Sequence, residues 1–130
     1  MKILVGYDGS NSAKDALTLA KQHAVAFDAK VIVLASLTGE SVTHTVEVEH
    51  ANENLKYAGD LLAEASIPCE TKLLVRGLTP GEDLIQFAEE ESVDEIIIGI
   101  KGRSQVGKLL FGSNAQFVII KAPCPVVTVK

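Results

Sequence analysis

Five short apolar runs, alternating with four amphipathic stretches, predict an α/β protein: a single-domain open parallel sheet of five strands with helices on both faces. Strict alternation implies consecutive βαβ units. The runs are near-continuous in Ile, Val and Leu, as expected for parallel strands buried on both sides. Turn and capping chemistry punctuates them at Asp8-Gly9-Ser10 and Thr79-Pro80-Gly81-Glu82.

The elements follow in order. Lys2–Tyr7 (KILVGY) is a strand that stops at the Asp-Gly-Ser turn. Ser12–Phe27 is a helix, with Ala13, Leu17, Ala20, Ala24 and Phe27 recurring on one face. Lys30–Leu37 is the second strand, and His44–Ser66 a helix carrying Leu55, Ala58, Leu62 and Ala65 at helical spacing. Cys69–Val75 is a third, more weakly marked strand. The next helix opens with Thr79 as N-cap, Pro80 at the first helical position and Glu82 closing a capping box. Asp94–Gly99 is a strand, Ser113–Lys121 a helix and Val126–Val129 the closing strand. Strand order is not legible from this pattern.

Length and composition fit one domain spanning 1–130, with 47% apolar and 22% charged residues. No apolar run reaches the ~20 residues of a membrane span, and the opening MKILVGYDGS is too short for a secretory signal. The cytoplasm is the expected compartment. Cys69 and Cys124 stand far apart with no CxxC, so reduced thiols are expected. Twelve basic and seventeen acidic side chains give a net charge of −5, which argues against nucleic acid or an anionic membrane as partner. Locally the balance reverses: Lys101, Arg103 and Lys108 fall in a stretch without an acid, which suits an anionic ligand.

Open sheets of this kind bind ligands beyond the carboxyl ends of their strands, where the winding reverses. For a chain wound outward from its first strand and then back, that crevice lies between strands one and four. Asp8 stands at the end of the first, and Gly99 with a dozen further residues at the end of the fourth. That connection exceeds the usual ~2–6 residues. Within it, Gly102–Lys108 (GRSQVGK) resembles a P-loop, but Leu109 replaces the Ser or Thr that would hold Mg²⁺. The wider spacing Gly99-x2-Gly102-x9-Gly112-Ser113 fits better, its last pair presenting N–H groups and a hydroxyl to phosphates at a helix start. Asp8 also reads as a plain turn residue, and Ser113 as an N-cap. Arg103 reads either as a solvated cation or as a phosphate contact, its fork suiting phosphate oxygens.

This glycine spacing, together with Asp8 and the closing CPVVTVK, resembles the ATP-binding branch of the universal stress protein family over essentially the whole chain. The resemblance implies a Rossmann-like sheet in the order 3-2-1-4-5 and a stress-response role. It further implies a homodimer paired through Val126–Val129 and an adenine nucleotide (ATP, AMP or ADP, with Mg²⁺ carried on the phosphates) across strands one and four. Residue by residue, it implies Asp8 at the ribose, with Gly6 and Tyr7 along the base. Ser36 would lie near adenine, and Ile98 and Gly99 beside the nucleoside. Gly102, Gly112, Ser113 and Asn114 would hold the phosphates. Gly6 stands where some nucleotide-bound members carry proline, and Tyr7 where Thr or Val is common.

Other chemistries have less support. His44, Glu47 and His50 are spaced by threes but lack a complete ligand set, so no metal site is expected and THTVEVEH reads as a solvated face. His23 has no Ser or Cys partner in view, and the first turn lacks GxGxxG. The acids Glu89, Glu90 and Glu91 read as a solvated helix end. With Asp8 as the single carboxylate expected near the site, binding is favoured over catalysis. The competing expectation is a slow ATPase or phosphotransferase using the same ATP site.

Overall fold

The computed structural model describes residues 1–38, 45–100 and 112–130. Their order is β1 (Lys2–Gly6), α1 (Asn11–Phe27), β2 (Lys30–Ser36), α2 (Thr45–Glu64), β3 (Cys69–Leu74), α3 (Pro80–Glu90), β4 (Glu95–Gly99), α4 (Ser113–Lys121) and β5 (Val126–Val129). The strands form one sheet in the order β3-β2-β1-β4-β5, and every neighbouring pair is parallel. Among the described residues no helix is long and apolar enough to cross a membrane.

β1 lies at the centre because its side chains are apolar on both faces: Ile3, Leu4 and Val5 are all fully buried. Ile3 and Val5 join a core beneath α1 and α2, together with Val31, Val33 and Ile97. Leu4 joins the opposite core beneath α3 and α4, together with Ile32, Leu34, Ile96 and Ile98. Alternation of side chains along each strand thus divides one apolar run between two cores. β3, at an edge, is only partly buried, and this accounts for its weaker apolar signal.

Helix α1 buries Ala13, Ala16, Leu17, Ala20 and Ala24. Phe27, expected on that face, is 55% exposed. The helix ends at Asp28, which adopts the left-handed conformation, and Phe27 packs edge-on against His23 instead of the sheet. Small alanines bring α1 close to the strands, and Gly99 lets the end of β4 meet its first turn. A Cβ at Gly99 would lie 2.4 Å from the Ser12 carbonyl group.

The expected caps form on α3, where Thr79 and Glu82 make a reciprocal capping box. On α4 the N-cap is Gly112 rather than Ser113, which takes the first helical position. Gly112 has an ordinary φ of −63°, and a Cβ there would meet nothing within 4 Å. Of the acids at the end of α3, Glu90 pairs with Arg76 at 3.2 Å. Cys69 and Cys124 are both free thiols, and burial, ahead of the nearby Asp94 and Glu95, raises the Cys124 pKa above the usual thiol value.

The two glycines therefore separate fold from site. Gly99→Ala should destabilise the protein by roughly 2 kcal/mol in urea denaturation, because a backbone clash cannot be relieved by a rotamer change. Gly112→Ala should cost less than about 1 kcal/mol. Equal costs for both would contradict this packing.

Candidate functional site

All strands run the same way, so their carboxyl ends share one edge of the sheet, and each following helix starts there. At this edge lies a cavity of about 560 Å³, well within the range of small-molecule sites. Its floor is the reversal of winding: the chain leaves β1 toward α1 on one face and reaches β4 from α3 on the other.

The tip of β1 supplies Gly6, Tyr7 and Asp8 to the wall. Asp8 acts partly as a turn residue, since its Oδ1 accepts from the Ser10 N–H at 2.9 Å. The same turn delivers the N-cap of α1, where the Ser10 Oγ accepts from the Ala13 N–H at 3.2 Å. Tyr7 is 4% exposed, and burial, reinforced by Tyr57 and Asp8, raises its phenol pKa further above neutrality. It adds no charge to the cavity at physiological pH.

The tip of β2 contributes Leu34 and Ser36. Within β2 the hydrogen bonds alternate sides: the Leu34 carbonyl accepts from Tyr7 of the β1 side, whereas the Leu37 N–H donates to Leu74 of the β3 side. Ser36 lies between them, so its own N–H and carbonyl point toward the β1 side, above the point where that strand ends. Its side chain turns to the α3 face and donates to Asp83 Oδ2. Asp83 is completely buried and also accepts from Arg76 Nε at 2.9 Å.

From β4 come Ile98 and Gly99, and from α4 Asn114. The Asn114 Oδ1 accepts from the Gly81 N–H at 3.0 Å, so this side chain ties the start of α4 to the start of α3. Gly112 and Ser113 stand just before it, exposed at the head of α4 and outside the cavity wall. Of the helices that begin around the cavity, the three with described caps differ in one respect. Ser10 caps α1 and Thr79 caps α3, but Gly112 has no side chain with which to cap α4. The first amides of α4 are therefore the ones suited to an incoming anion. Gly102 and Arg103, with Lys101 and Lys108, lie outside the described residues.

Sequence reasoning missed one wall. Val46, Glu47 and His50, in the stretch expected as a solvated face, line the cavity together with Ala51 and Asn54 of the same helix. The signal was topological: α2 follows β2, so its first turns must start at the ligand edge. Glu47 and His50 remain exposed on the open side, and Asp8 is consequently not the single carboxylate at the site. Asn54 Nδ2 donates to the Asp8 carbonyl at 3.4 Å, a long contact that holds α2 against the β1 turn. His44 lies outside the described residues, and among those described no three His, Cys, Asp or Glu side chains gather to hold a metal.

The model of the universal stress protein family matches residues 1–130. The chain belongs to the universal stress protein family. A universal stress protein of Thermus aquaticus is 34% identical over 98% of this chain and 97% of its own length. A universal stress protein structure from Archaeoglobus fulgidus, 38% identical, superposes with a TM-score of 0.91 over 100% of this chain and 98% of the other. Another from the same organism, in complex with dAMP, is 34% identical with a TM-score of 0.85 over the same shares. The strand order implied by the family resemblance is the one observed.

Proposed function

We propose that this universal stress protein is an adenine-nucleotide-binding regulatory protein of the stress response that works as a homodimer. The observation that carries this reading is the cavity in which the Asp8 turn, the Ser36 strand tip and the start of α4 meet. Adjacent strands are about 4.8 Å apart, so the tips of β2 and β4 stand roughly 10 Å apart with β1 between them. That span suits a base over β2, a ribose over Asp8 and phosphates at α4. The Archaeoglobus relative bound to dAMP supports the same ligand class.

The assignments follow. Gly6, Tyr7 and Ser36 border the base, Asp8 the ribose, and Ile98 and Gly99 the nucleoside. The uncapped amides at Gly112, Ser113 and Asn114 receive the phosphates, joined by Gly102 and Arg103. ATP, with Mg²⁺ on its phosphates, gains most from such a cradle; AMP and ADP use less of it. The net charge of −5 favours a cytoplasmic protein that binds neither anionic membrane nor nucleic acid. A second reading is slow ATP hydrolysis or phosphotransfer, favoured by Glu47 and His50 on the open wall, where either could take a proton. Mg²⁺-dependent ATP turnover that His50→Ala abolishes would establish that reading, and a rate in the ordinary enzymatic range of ~1–1000 per second would put catalysis ahead of binding.

The dimer reading rests on β5. It is an edge strand, and Phe117, Ile119 and Ile120 on the adjoining α4 are 36%, 43% and 74% exposed. The carbonyls of Pro125 and Val129 face β4, so the N–H and carbonyl of Thr128 face the open edge.

Calorimetric titration of the purified protein should show saturable heat with AMP, ADP and ATP. In Gly112→Val affinity for all three should fall at least tenfold with the fold retained, because the branched side chain stands where phosphate approaches. A flat wild-type titration at millimolar nucleotide, or unchanged affinity in the variant, would remove this reading. Separately, Thr128→Pro should convert a dimer to a monomer in light scattering, since proline removes an edge donor; a dimer that persists places the interface elsewhere.

A further inference from the structure

We propose that Ser36, oriented by Asp83, selects the group at the purine 6-position, preferring a 6-amino to a 6-oxo base. This deepens the adenine-nucleotide reading and rests on it.

Donor direction decides the selectivity. A serine hydroxyl has a single proton and two acceptor lone pairs. The Ser36 proton is committed to Asp83 Oδ2. Asp83 is fully buried, and its other oxygen accepts from the Arg76 guanidinium, which also contacts Glu90. A carboxylate held this way has only lone pairs to offer, so Ser36 is the donor of that bond. What its oxygen can still present is a lone pair, and Ser36 is one of the residues that line the cavity.

The Ser36 side chain at the base end of the cavity is then an acceptor, beside that residue's own peptide N–H and carbonyl. The exocyclic amine of adenine donates to it. The 6-oxo group of hypoxanthine or guanine brings a second acceptor to the same place, and neither oxygen has a proton to share. A buried site built to bond one group rejects the analogue that cannot make the bond. Asp83 does not touch the nucleotide in this account. It is a positioning residue, placed on α3 by the capping box that starts that helix one turn earlier.

The test compares AMP, IMP and the 5′-monophosphate of unsubstituted purine riboside by calorimetry on the intact protein. Wild type should bind AMP about tenfold or more tightly than IMP. Ser36→Ala should bring AMP and purine riboside monophosphate to within about threefold of each other and remove most of the preference over IMP. Asp83→Asn supplies the sharper readout. The amide oxygen still serves Arg76, and its N–H now donates to Ser36, which frees the hydroxyl proton to face the cavity. The ratio of AMP to IMP affinity should shift toward IMP by at least tenfold.

Circular dichroism checks that each variant is folded; if Asp83→Asn is not, the Ser36→Ala ratio decides alone. A wild type that binds AMP and IMP equally overturns the proposal and leaves the adenine-site reading standing. So does a Ser36→Ala variant that keeps the full preference, since the peptide groups of β2 would then read the base by themselves. A wild type that binds none of the three removes the underlying reading as well.

Discussion

The structure depends on the central position of β1, bonded to β2 on one side and β4 on the other, with all strands parallel. A parallel strand cannot turn straight back, so each connection crosses a face of the sheet through a helix. Because the winding reverses at β1, α1 and α2 cover one face while α3 and α4 cover the other. Among the described residues no connection then covers the gap above β1. The cavity is a consequence of topology, and the side chains only specify what enters it.

The polar groups around the gap fall into two kinds. Some are used up in holding the frame: Thr79 and Glu82 start α3, Ser10 starts α1, and Asn114 ties the starts of α4 and α3 together. Others are left directed at the opening by the same frame. The peptide groups of Ser36 extend past the last residue of β1, and the first amides of α4 follow a glycine. Backbone donors at such a place are open to water or to an incoming ligand. Asp8 belongs to both kinds, since it shapes the turn and also lines the wall.

Much of this was legible in the sequence, for identifiable reasons. β-branched runs marked the strands because parallel strands have two buried faces, and α4 and β5 began and ended where their composition indicated. Phe27 failed because periodicity cannot see a helix end: at the last turn the residue in phase with the core had already passed the sheet. Ser113 was expected to cap α4, but the backbone at Gly112 is already extended and takes that position. The α2 wall was hidden because its polar face looks like any solvated helix until the sheet order places it over β1. The Arg76–Asp83–Ser36 chain joins a strand tip, a loop and a helix, and no local motif announces such an arrangement.

In the proposed reading β1, β2 and α4 form one ligand site. Mapping backbone amide resonances of ¹⁵N-labelled protein during addition of AMP tests it most directly. A single site gives concerted shifts at Tyr7–Gly9, Ser36–Leu37, Gly99 and Gly112–Ala115, all fitting one binding curve. Shifts confined to the opposite edge of the sheet, or separate curves for the β1 and α4 groups, would contradict it.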